Sequence, residues 1–211
     1  MKKKSWLIGI GLVALVTILG MLTYSIFFKN NKKVEEEKKD TSTTSEIADY
    51  GITLDEDDTE LYKTEFDALK GNLESGNIDY TEYAKSVAKL FIIDLYTIDN
   101  KTNKYDVGGL EFVQEGAKEN FITNVTDTIY KYVEDNSKKT RKQDLPIVSE
   151  ITVESIEEST FTIKSTNQTY NSYKVKLTWN YTNDLGYDTK CEVVVINDNS
   201  KLYVVEENIS K

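Results

Sequence analysis

Asp94 is the residue most suggestive of chemistry. It stands in Phe91-Ile92-Ile93-Asp94-Leu95-Tyr96, apolar company that is unusual for a charge. A carboxyl inside an apolar pocket has its pKa tuned by desolvation, as a general acid or base requires. The competing reading is plain. A helical stripe at 88, 91, 92 and 95 can face a sheet while Asp94 points to solvent. Zero histidines remove the commonest metal ligand and the commonest general base at neutral pH, which leaves carboxylates and tyrosines as candidates. Asp55-Glu56-Asp57-Asp58 with Glu60 is the densest acidic run. Oxygen ligands suit calcium, but no calcium-loop spacing with its glutamate at the twelfth position is present. Acids placed before a helix also complement its dipole and its free N–H groups, and that reading fits the run. Gly108-Gly109 lacks phosphate-loop spacing and reads as a turn.

Tyr173, Trp179, Tyr181 and Tyr187 form an aromatic run. Tyr and Trp fill cores, and they are also enriched at binding hot spots, so the four form a candidate interaction surface. Cys191 is the sole cysteine, so no disulfide framework exists. It reads as a small buried hydrophobe, with an intermolecular disulfide as the sharper alternative. No nucleophile–base–orienter set is evident, and nothing implies a catalytic residue, cofactor or metal. The sequence therefore favours a non-enzyme.

These residues sit in a chain whose architecture is easier to read. Ser5 to Phe28 carry no charge. Twenty-four residues make a helix of roughly 36 Å, enough to cross a hydrocarbon core of about 30 Å. The run is longer than a signal-peptide core and ends in Tyr24-Ser25-Ile26-Phe27-Phe28, a poor cleavage site. It reads as an uncleaved signal anchor. Lys2, Lys3 and Lys4 keep a tail of residues 1–4 in the cytoplasm, although Lys29, Lys32 and Lys33 make the far flank basic too. The C-terminal domain is thus expected to be extracytoplasmic on a single-pass cell-membrane protein. Gly11, Ala14, Thr17, Gly20 and Thr23 share no single helical face, so the anchor offers no coherent dimer seam.

The chain holds 26 basic and 36 acidic residues, a net charge of −10. An acidic domain is repelled by nucleic-acid backbones, so nucleic-acid binding is disfavoured and no nucleic-acid partner is expected. Residue usage rich in Lys, Asn, Ile, Tyr and Thr, with Pro146 as the only proline, suggests an AT-rich bacterial genome of the Gram-positive type.

Residues 29–53 are charged and Thr/Ser-rich, too poor in large apolar groups to offset their ordering entropy. They read as a flexible linker of about 27 Å root-mean-square span. Residues 54–211 suit one domain. Leu61, Tyr62, Phe66, Leu69 and Leu73 recur at helical spacing. A second helix opens at Asp79 with Glu82 three residues on, a capping-box spacing, and carries Tyr80, Tyr83, Ala84, Val87, Ala88, Phe91, Ile92 and Leu95 as one stripe. Leu110, Val113, Ala117 and Phe121 predict a third, and a shorter helix covers Thr128 to Val133. After Pro146 the period becomes two. Ile151 and Val153, Phe161 and Ile163, Tyr173 to Tyr181, Cys191 to Val195 and Leu202 to Val205 read as strands. Asn183–Gly186 and Asn197–Ser200 read as hairpin turns. The expected fold is α+β: an N-terminal transmembrane helix, then three to four helices packed on a curved antiparallel sheet of about four strands.

That order, with the stretches Tyr80–Tyr96 and Tyr173–Tyr181, resembles the nuclear transport factor 2-like, cystatin-related fold over about residues 55–209. The resemblance implies a cone-like domain with a long helix in the concave face of a bent sheet. With the anchor and linker, the plan is similar to the bitopic assembly factors of type IV secretion and conjugation channels. There the cone is a scaffold for protein–protein contacts. An Asn-Pro-x-Gly turn associated with many Gram-negative members is absent. The resemblance implies a non-catalytic, membrane-anchored interaction domain of an envelope complex, its partners other envelope proteins or a second copy of itself. The alternative is an anchored small-ligand-binding or sensing domain that uses the cone interior, where Asp94 would be the pocket acid.

Overall fold

A computed structural model describes residues 43–209. The expected cytoplasmic tail and transmembrane anchor lie outside the described residues. Among the described residues, no helix is long and apolar enough to cross a membrane.

Two short antiparallel strands come first, β1 (Thr43–Ile47) and β2 (Ile52–Asp55). Ile47 pairs with Ile52, and both are buried. This corrects the linker expected over 29–53, whose last residues, from Thr43 on, are part of the folded domain. The average polarity of that segment conceals Ile47, Ile52 and Leu54, which pack on the core. Gly51, at φ 69°, closes the turn between the strands. Tyr50 in the same turn meets Tyr83 edge-on at 5.7 Å.

Helix α1 (Glu60–Leu73) starts at Thr59, whose side chain accepts the Tyr62 N–H. It buries Tyr62, Phe66 and Leu69. Helix α2 (Tyr80–Tyr96) starts at Asp79, which accepts the N–H groups of Thr81 and Glu82. The return half of the capping box is not formed. The Asp79 N–H donates instead to Asn72 Oδ1 at 2.9 Å, and Asn72 Nδ2 donates to the Asp79 carbonyl at 2.8 Å. Asn72 thereby ties the end of α1 to the start of α2. The stripe read in α2 is real but too narrow. Leu90, Ile93 and Tyr96 are buried as well, so the second half of the helix buries apolar residues on nearly every side, with Lys89 and Asp94 the charged, ion-paired exceptions. It lies against α1 and against all four strands of the main sheet.

The third helix is shorter than its spacing predicts. Gly109, in the left-handed region at φ 79°, starts a 3-10 turn at Leu110–Phe112. Val113 then leaves helical geometry to make a single parallel bridge with Val204. A second 3-10 turn (Glu115–Ala117) leads into α3 (Lys118–Asp127). The helix expected at Thr128–Val133 is a series of turns. The hydroxyls of Thr126 and Thr128 bond back to the carbonyls of Thr123 and Asn124, local bonds that compete with helix continuation. Tyr130 is pulled inward, and its hydroxyl donates to the Leu95 carbonyl at 2.8 Å.

The main sheet is an antiparallel meander in the order β3 (Val148–Ile163), β4 (Gln168–Tyr181), β5 (Lys190–Asp198) and β6 (Lys201–Ile209). Ile151–Val153 and Phe161–Ile163 belong to one strand of 16 residues. The β5–β6 turn is only Asn199 and Ser200, both at positive φ, with Asn197 and Asp198 still in the strand; this is the hairpin turn that follows the sheet twist. On the helix-facing side Val175, Leu177, Cys191, Val193 and Val195 are fully enclosed. The domain is α+β, with three α-helices, the four-stranded antiparallel sheet and the small two-stranded one.

Two glycines should respond oppositely to alanine. A Cβ on Gly71, within α1, meets nothing within 4 Å, whereas one on Gly108 would lie 2.1 Å from the Asp94 carbonyl oxygen. In urea unfolding, Gly71→Ala should stabilise by about 0.5–1 kcal/mol. Gly108→Ala should cost roughly 3 kcal/mol or more, since a backbone atom has to move.

Candidate functional site

Asp94 lies near the end of α2, is half-buried, and both its carboxylate oxygens are held by protein groups. Its Oδ1 accepts from Lys101 Nζ at 2.5 Å, and its Oδ2 accepts the Gly109 N–H at 2.6 Å. The Lys101 side chain is 8% exposed and that of Asp94 20%. Burial alone would lower the Lys101 pKa, but the Asp94 carboxylate beside it raises it above the ordinary lysine value. The loop carrying Lys101 is itself clamped. Arg141 Nη1 donates to the Lys101 carbonyl at 2.9 Å, and its Nη2 donates to the Asp99 carbonyl at 2.5 Å.

The acidic run sits next to this pair. Asp58 Oδ2 accepts the Asp55 N–H at 2.7 Å, and Thr59 rather than an acid caps α1. Glu60, in the first turn, pairs with Lys63 at 2.8 Å. Burial, with Asp94 nearby, pushes the Asp58 carboxyl up to about 6. Glu111 accepts from both the N–H and the hydroxyl of Thr53; burial pushes it up to about 7 against those two hydrogen bonds. Protein groups answer most of this cluster, Asp55 Oδ1 being buried without a hydrogen-bond partner, and it ties β2, α2 and the Gly109 turn together. Among the described residues, no group of three or more acids and cysteines is arranged to hold a metal ion.

The aromatic run does not form one exposed surface. Trp179 is core, 3% exposed, its ring 5.0 Å from that of Tyr96. Tyr173 is half-buried against the core, as are Tyr181 and Tyr187, whose rings pair at 6.3 Å. The Tyr181 hydroxyl donates to the Asp188 carbonyl at 2.7 Å. Tyr132, 77% exposed, and Tyr105, 46% exposed, are the open aromatics; both lie in irregular segments where periodicity gives no signal. Cys191 is a buried free thiol pushed above its ordinary value by burial, which makes it a poor nucleophile.

The sequence reading missed a different place. A cavity of about 840 Å³ runs between α3, the edge strand β6 and the far end of β3. Phe91, Leu95, Phe121, Val125 and Val204 give it apolar walls, and Val205, Glu206 and Glu207 continue the β6 side. Glu207 reaches this position through a bulge. Val195 pairs with Val204, but Val194 pairs with Glu206, so Val205 is the extra residue. The strand's alternation is shifted by one, and Glu207, opposite Val193, falls on the helix-facing side. The Tyr96 hydroxyl donates to Glu207 Oε1 at 3.0 Å. Burial pushes Glu207 up to about 7, with the tyrosine hydrogen bond acting the other way. The only sequence trace is Val204-Val205-Glu206-Glu207, two apolar residues and then two acids, which breaks the period of two.

The chain matches no protein-family model, no curated protein and no solved structure.

Three carboxyls hold their protons to a higher pH in the folded state than in the unfolded chain: Asp58, Glu111 and Glu207. Their contribution to stability is present at low pH and lost as pH rises through about 6 to 7. The melting temperature should therefore be higher at pH 5.5 than at pH 8, by roughly 3–6 °C. Glu111→Gln and Glu207→Gln should each flatten that dependence in circular-dichroism melts. A melting temperature that falls on acidification over this range would contradict the assignment.

Proposed function

We propose that this chain is a non-catalytic, membrane-anchored interaction domain of a bacterial envelope complex, held outside the membrane by the apolar segment at residues 5–28. The observation that carries this reading is the position of open apolar surface. The centre of the helix-facing side of the sheet is filled: Val175, Leu177, Val193 and Val195 are at 0% exposure under α2. Open apolar surface lies instead in the groove beside the edge strand β6, where a protein segment has room. The cavity opens on the same helix-facing side, between α2, α3 and β6, and its 840 Å³ is a volume that small ligands use elsewhere, which keeps the ligand-binding alternative beside this reading. Helices followed by an antiparallel meander, with α2 against all four strands, support the resemblance to nuclear transport factor 2-like domains. With the anchor, they support a scaffold role of the kind found in secretion and conjugation channels.

The test joins topology to assembly. External protease added to intact spheroplasts should digest the domain, and crosslinking in intact cells should recover it joined to another envelope protein or to itself. A protease-resistant domain would overturn the topology, and recovery of monomer alone would overturn the scaffold role.

A further inference from the structure

The edge of β6 is a strand position that the chain begins to fill and then abandons. Val113 makes one parallel bridge to Val204. The next residues turn away through Glu115–Ala117 into α3. β6 continues to Ile209 as the last strand in the sheet order, so its outer side from Val205 onward has no neighbouring strand among the described residues. Such an edge is a template for an added strand.

The groove that runs along this edge has a defined chemistry. Its walls are apolar, with Phe121 and Val125 on α3 facing the β6 side. The bulge at Val205 turns the half-buried Glu207 to the helix-facing side of β6, while Glu206, opposite Val194, is exposed on the other face. The tyrosine bond engages only Oε1 of Glu207. Lys164 lies on the β3 side of the groove. An edge strand with an inward acid discourages pairing with another copy of itself, since two such edges would bring like charges together. It favours a partner of opposite charge.

We infer that the groove between α3 and β6 takes an extended segment of a partner protein, added as a strand beside Val205–Ile209, with apolar side chains toward α3 and a lysine or arginine paired with Glu207. This rests on the interaction-domain reading and names the surface and the partner chemistry. Backbone pairing supplies affinity along the edge, and Glu207 selects for a basic residue.

The test uses the full chain in the cells that produce it, with the photo-crosslinker p-benzoylphenylalanine at Asn124, on the groove wall, or at Glu56, which does not line the groove. Asn124 should give an adduct that mass spectrometry maps to a segment containing lysine or arginine. Glu207→Gln keeps an acceptor for Tyr96 yet should lower the adduct by about tenfold or more. Glu206→Gln, on an exposed side chain, should lower it less. Loss of the adduct must come without loss of folding, checked by the melting temperature of the purified domain. An adduct at Glu56 but none at Asn124 would overturn this inference and leave the interaction-domain reading standing. An Asn124 adduct that Glu207→Gln leaves unchanged, or one that maps to an acidic segment or to a small molecule, would overturn it as well. No adduct at either position, together with monomer alone in the general crosslinking, would count against both.

Discussion

A carboxylate near the end of a helix that buries apolar residues on nearly every side has to be answered by a charge, and Lys101 answers Asp94. The rest of the domain is arranged around that requirement. Lys101 stands in the loop just after α2, so this loop has to double back. Arg141 holds it there through two carbonyls. Gly108 has to be glycine because the Asp94 carbonyl lies where a Cβ would be. Gly109 has to offer its N–H to the second carboxylate oxygen. A buried pair of this kind adds little net stability over an apolar substitute, because both charges lose their water, but removing one partner leaves the other stranded. Its contribution is therefore to register: it fixes where α2 ends and where the next segment starts.

The same logic separates what the sequence revealed from what it hid. The long helix was legible because its apolar residues recur over four turns, and Asp79 caps it as its position suggested. The meander was legible because β4 alternates cleanly from Val175 to Tyr181. The hairpin at residues 43–55 was not, since it depends on three apolar residues diluted among polar ones. The break at Val113 was not, because an isolated bridge to Val204 is a tertiary event. Asp94 drew attention as a charge in apolar company. Its role was hidden because its partners, Lys101 and Gly109, lie beyond the helix, and no spacing rule connects them. Trp179 read first as core, with an interface role as the alternative, and the structure packs its ring on that of Tyr96.

Two buried carboxyl environments result, and they differ in what surrounds them. Around Asp94 a lysine and the Gly109 N–H answer the charge, which makes a closed clamp. At Glu207 one phenol answers one oxygen, beside an apolar groove and an unfinished sheet edge. One extra residue in β6 makes that difference: without the bulge at Val205, Glu207 would face the other side of the sheet. The acid that composition and context pointed to holds the fold, and the acid that a shifted strand register turns inward lies at the apolar groove.

A double-mutant cycle on Asp94 and Lys101, read by urea unfolding, tests the central claim most directly. Asp94→Leu and Lys101→Met should each cost about 3–5 kcal/mol. The double variant should cost less than their sum, with a coupling of about 1–3 kcal/mol. Single variants that each cost under about 1 kcal/mol and add without coupling, as a solvent-exposed ion pair would, would contradict the account.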